Sequence, residues 1–189
     1  MVERHRRLGR LLPGDLDAHQ ANLYQMIVGG PRANDQPVSS TVDAEGSLAG
    51  PFGAMLLSPA LGVHMQALGA AIRYESSLPP RVREAAILMV ADREKSSFEW
   101  SAHHPIAISA GLTPADLSTI RAGGAPAGAS PLENALLVAA TALVQREEFD
   151  DAAYADAVAC AGERSLFELC ALVGYYRMLA LTMRVFGIE

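Results

Sequence analysis

Apolar positions recur at helical spacing along most of this chain, and the punctuation between them divides it into separate helices. The stretch richest in reactive groups runs from Leu78 to Leu112. Pro79 and Pro80 give a start signal, because proline fits the first turn of a helix and disfavours helical geometry in the residue before it. Val82, Ala85, Ala86, Met89 and Val90 then mark a helix that ends in the polar cluster Asp92 to Ser97. A second helix is expected from Ser96 or Ser97, either of which can cap it, with Glu99 in the first turn where a negative charge suits the dipole.

Elsewhere, Leu16, Leu23, Met26 and Ile27 predict a helix over 15–28, stopped by Gly29, Gly30 and Pro31. A long loop follows to Gly50. Such loops are unusual in a compact domain unless they lie over a site or a neighbouring subunit. A short helix or turn is expected over 51–57, and then a helix capped by Ser58, with Leu61, Met65, Leu68 and Ile72 on its inner face and Arg73 at its end. Thr113 and Pro114 open a short helix, Pro131 to Gln145 form another, and Asp150 starts one that stops near Gly162. The last helix should run from Arg164 or Ser165 to Phe186. It is apolar around so much of its circumference that it must be central or an interface.

Composition narrows the picture. At 189 residues, half of them apolar, the chain is expected to be one domain, 1–189, with residues 1–14 a polar N-terminal arm. Few aromatics and abundant alanine and leucine favour an all-α fold. The net charge is −6. The small basic group Arg4, His5, Arg6, Arg7 and Arg10 does not argue for nucleic-acid binding against that balance. No apolar run approaches the roughly twenty residues of a membrane span, and no apolar segment behind the N-terminal charges suggests a signal peptide. The expected setting is cytoplasmic, with no nucleic-acid or membrane partner. Cys160 and Cys170 lack the C-x-x-C spacing of a redox or zinc motif and are expected to be reduced.

The candidate chemistry centres on Glu99 and His103. Four residues apart on one helix, their side chains lie on one face within reach of each other, a carboxylate beside an imidazole. Taken alone, such a pair is more often surface decoration than a site. A zinc site using Glu99, His103 and His104 or His64 is a minor alternative, because H-E-x-x-H is absent and adjacent histidines diverge by about 100 degrees. His64 otherwise reads as a partly buried histidine, His104 as a neighbour of Trp100, and Ser96 as a cap.

The spacing Glu99-x-x-x-His103-x-x-x-Ala107-x-x-x-Gly111, with Glu84 fifteen positions before Glu99, resembles the carboxymuconolactone decarboxylase and alkylhydroperoxidase D-like superfamily. Its peroxidase branch reads C-x-x-C-x-x-x-H-x-x-x-A-x-x-x-G with an upstream glutamate. The resemblance puts Ser96 and Glu99 at the two redox cysteines, His103 at the family histidine and Glu84 at the upstream glutamate. It extends to Gly50–Gly62 and Leu172–Met183. It implies an alkylhydroperoxidase D-like helical bundle of about eight helices, forming trimers or hexamers with sites near subunit contacts.

With no cysteine at either redox position there is no thiolate to attack a peroxide, so the antioxidant activity is the weakest reading. The resemblance implies instead a small-molecule enzyme that needs neither cofactor nor metal, with His103, Glu99 and Glu84 as catalytic residues. When a carboxylated lactone loses carbon dioxide, its own carbonyl takes up the electrons, and the enzyme need only stabilise an enolate-like oxygen and deliver a proton. Here His103 is the proton donor or oxyanion partner, Glu99 orients and charges it, and Glu84 is a second acid–base group or structural partner. If burial and mutual repulsion act on the glutamates, one should ionise late. Arg81, Arg83 or Arg93 can hold a spectator carboxylate or pair with Glu84 or Glu94. The alternative is a non-catalytic subunit that binds a ligand or completes an assembly.

Overall fold

Pro80 stands at the first position of its helix, as the sequence suggests, and the helix it opens is the one around which residues 75–180 pack. The computed structural model describes residues 7–30, 41–146 and 149–188. Among these are eight α-helices: α1 Ala18–Val28, α2 Pro51–Met55, α3 Pro59–Tyr74, α4 Pro80–Glu94, α5 Ser97–Ser109, α6 Pro114–Arg121, α7 Pro131–Arg146 and α8 Asp151–Phe186. No strand occurs among the described residues, only a single bridge between Val42 and Leu48. Backbone contacts divide the chain into two compact units, residues 75–180 and the described parts of 1–74 with 181–189.

In the 75–180 unit, α4 packs on α5, α6 and α7. Val82 and every residue from Glu84 to Ala91 are buried, so the helix has no solvent face along its middle. It ends at Lys95, whose left-handed backbone (φ 57) lets the Ser96 N–H reach the Ala91 carbonyl at 2.8 Å. This closure resembles the common left-handed helix stop and leaves only two residues before α5. The Ser96 hydroxyl then caps α5 by accepting from the Glu99 N–H. The short turn sends α5 back along α4. Within α8, Gly162 adopts φ 78 and ψ 159, breaking the helical path where the sequence suggests a stop. Beyond it, Leu166, Leu169, Leu172, Val173 and Tyr176 are buried.

In the other unit, α1 begins three residues later than expected. Asp17 caps it by accepting from His19 and Gln20, and the Gln20 side chain returns a bond to the Asp17 N–H. Residues 13–15 form a single 3-10 turn instead. The larger correction concerns α3. Leu61 is 60% exposed and Leu68 lies outside too, while Gly62, Gln66, Gly69 and Ile72 are buried. The reason is close approach. A Cβ on Gly62 would stand 2.6 Å from both Leu23 Cδ2 and the Met55 carbonyl oxygen, so α1 and α2 meet α3 where a side chain would keep them apart. His64 is exposed rather than partly buried.

The expected 29–50 loop falls partly outside the described residues, at 31–40, as do residues 1–6 of the arm. From Thr41 the chain is organised by Asp43, whose side chain accepts from the Glu45 and Ser47 N–H groups. By length and composition α8 is apolar enough to cross a membrane, contrary to the sequence expectation. Half of its most apolar window is buried within the structure, as in a core helix.

Candidate active site

The reactive groups come together through the α4–α5 turn. Glu84 on α4 is 1% exposed, and Glu99 and His103 on α5 are 2% and 8% exposed. A carboxylate in such surroundings is costly unless it is paired. Glu84 is paired: its Oε2 lies 2.8 Å from His103 Nδ1, and its Oε1 accepts from Arg83 Nε at 3.3 Å. One buried carboxylate therefore bridges an imidazole and a guanidinium. Tyr176 of α8 closes another side of His103, its ring edge-on at 5.2 Å between centroids and 87°, with Tyr175 packed on it in turn.

This corrects the expected pairing. Glu99 and His103 share a helix, but His103 bonds to Glu84, nineteen residues away on the neighbouring helix. Helical spacing places two side chains on one face without making them meet; α4, packed on α5, offers the imidazole a nearer acceptor. Among the described residues neither carboxylate oxygen of Glu99 has a hydrogen-bond partner, although both are buried. Burial accordingly pushes its pKa up from 4.5 to about 8. The nearby Ser96 hydroxyl tempers the rise without closing a bond to either oxygen, and the charge of Glu94 adds to it. Desolvation thus overrides the helix dipole, which would favour the ionised form in a first turn. One glutamate does ionise late, as the sequence suggests, but through burial and Glu94.

The arrangement supports proton transfer. With Glu84 ionised, a neutral His103 donates through Nδ1–H and keeps a lone pair on Nε2, which makes no hydrogen bond among the described residues. Near neutral pH Glu99 is largely an uncharged acid one turn away on the same helix. Among the described residues no three His, Cys, Asp or Glu side chains converge as metal ligands. His104 lies beside Trp100, their centroids 6.4 Å apart, and Arg121 stacks over that indole at 3.8 Å. Cys160 and Cys170 are exposed on α8. Arg83 takes Glu84, one of the two roles the sequence offers it, and Tyr176 is the contact of His103 to which the motif does not point.

Fold and site together define an all-α protein whose central helix pair carries a buried Glu–His contact. The sequence model of the Carboxymuconolactone decarboxylase family matches residues 59–142, a segment containing Glu84, Glu99 and His103, and the resemblance read from the motif is borne out there. Among solved structures, the debrominase Bmp8, a cysteine-to-alanine variant in complex with 2,3,4-tribromopyrrole, is similar over 95% of this chain and 89% of its own, with a TM-score of 0.68 and 14% identity. That likeness shows the fold, and the expected all-α alkylhydroperoxidase D-like architecture is borne out. No curated protein matches the chain.

Proposed function

We propose that the chain is a cofactor-independent acid–base enzyme acting on a small carboxylated lactone or oxo acid, by decarboxylation or a related isomerisation or carbon–carbon cleavage. The observation that carries this reading is the 2.8 Å contact between His103 Nδ1 and the buried Glu84. A carboxylate on Nδ1 fixes the ring and its tautomer, so that Nε2 is the atom presented for proton exchange. Glu99, held protonated near pH 7, supplies the complementary acid. Substrates of this class carry their own electron sink, so protein side chains suffice for the proton movements. A thiol mechanism has less support, since Ser96 and Glu99 occupy the motif's cysteine positions and His103 is bonded to Glu84. The site is proposed to work within a homo-oligomer, a trimer or larger.

The test is a screen of carboxylated lactones and β-oxo acids without added metal or cofactor, followed by His103→Asn on any substrate found. The variant retains size and some hydrogen bonding but cannot titrate, and turnover should fall on the order of a hundredfold or more while binding survives better. Wild-type turnover by a folded His103→Asn would remove His103 from the chemistry.

A further inference from the structure

The guanidinium of Arg83 has five N–H donors in a planar fork, and the buried site uses one of them. Nε donates to Glu84 Oε1 at 3.3 Å, and neither terminal nitrogen has a hydrogen-bond partner among the described residues. The side chain is 16% exposed, against 1% for Glu84, so part of it reaches solvent beside the buried carboxylate. Other arginines of the 75–180 unit are committed differently. Arg81 lies between Asp116 at 3.0 Å and Glu133 at 3.5 Å, and Arg177 donates to the Val144 carbonyl at 2.9 Å. Arg93 is exposed ten residues further along α4, about 15 Å by helical rise.

We propose that Arg83 is the substrate-anchoring residue of the site: its two terminal nitrogens take a carboxylate of a small organic acid, while Nε remains on Glu84 and the same Glu84 holds His103. This rests on the acid–base reading given above. The outward edge of a guanidinium matches a carboxylate with two parallel N–H···O bonds, and its Nε contact fixes its plane before the ligand arrives. Partial burial strengthens the interaction relative to open water. One carboxylate group, that of Glu84, separates the guanidinium from the imidazole, so the anchor and the proton-exchanging ring are held by the same buried side chain. An anchored carboxylate is also stabilised as an anion, which opposes flow of its electrons into the rest of the molecule. The carboxyl group on Arg83 is therefore a handle that survives the reaction. The substrate class is then a small acid that either keeps this carboxylate while losing a second one, or is isomerised without losing any.

The experiment titrates the whole protein at pH 7 with 2-furoate, a five-membered-ring carboxylate, and with furan-2-carboxamide, its uncharged analogue of nearly equal size. Binding is read from the His103 ring nitrogen signals, assigned with His103→Asn. The expected result is at least tenfold tighter binding of the carboxylate. The preference should be lost in Arg83→Met, which keeps length without charge, and largely return in Arg83→Lys. Should Arg83→Met fail to fold, Arg83→Gln is read in the same way. Equal affinity for the two probes in the wild type, absence of binding to either, or a preference that persists without a charge at position 83 would each overturn the assignment. The acid–base reading is judged separately, by the turnover of His103→Asn, and a persisting preference in Arg83→Met leaves it untouched.

Discussion

His103 Nδ1 sits 2.8 Å from Oε2 of Glu84, and the two residues belong to successive helices joined by Lys95 and Ser96. This bond selects the imidazole tautomer that leaves Nε2 without a proton in the neutral ring. Glu84→Gln replaces an acceptor-only group with an amide that can also donate, and the selection should weaken. Nitrogen NMR of the His103 ring should show one dominant neutral tautomer in the wild type and a mixture in Glu84→Gln. Turnover on any substrate found should fall at least tenfold, and further than in Glu99→Gln. An unchanged tautomer would mean that Glu84 does not orient the ring.

Much of this site was legible in the sequence, but its pairing was not. The prolines before α4, the serine cap of α5 and the Gly162 break are local signals, set by backbone sterics within a few residues. Glu84, Glu99 and His103 were recognisable from their spacing. Which glutamate meets His103 depends on how α4 packs against α5, and no single-helix periodicity encodes that. The inner face of α3 was hidden for a similar reason. Periodicity weighs large apolar side chains such as Leu61 and Leu68, whereas a close helix contact selects the smallest residues, here Gly62.

Gly62→Ala tests that contact. The added methyl would stand 2.6 Å from a backbone oxygen that cannot swing away, so backbone must shift. A loss of about 1 to 3 kcal/mol is expected in urea unfolding. Leu61→Ala, on the exposed side of the same helix, should cost well under 1 kcal/mol. Comparable costs for the two would restore Leu61 to the inner face.

Phe167, 73% exposed, shares the outer side of α8 with Gly174 and Met178, at spacings of seven and four residues that keep them near one face. Among the described residues, a Cβ built on Gly174 meets nothing within 4 Å. An apolar strip of this kind is suited to burial between copies of the chain. Light scattering at micromolar concentration should give a trimer or larger species, and Phe167→Glu should shift it toward smaller ones. A clean wild-type monomer would remove the proposed assembly.

Glu99 makes the stability of the fold depend on pH. Its pKa is about 8 when folded, against 4.5 as the ordinary value, because burial penalises the charged form. Between these values the folded state holds a proton that the unfolded chain has released, so the unfolded state binds fewer protons. Stability from this group is therefore fully present below pH 4.5 and is lost as pH rises through about 8. Over that window the slope approaches about 1.4 kcal/mol per pH unit at most. Glu99→Gln has no proton to lose and should lack this component. Urea midpoints measured from pH 5 to 9 should decline more steeply for the wild type than for Glu99→Gln, and the two curves should run parallel again above pH 9. Parallel curves throughout the window would mean that Glu99 ionises at an ordinary pH, and the site would then lack the neutral acid assigned to it.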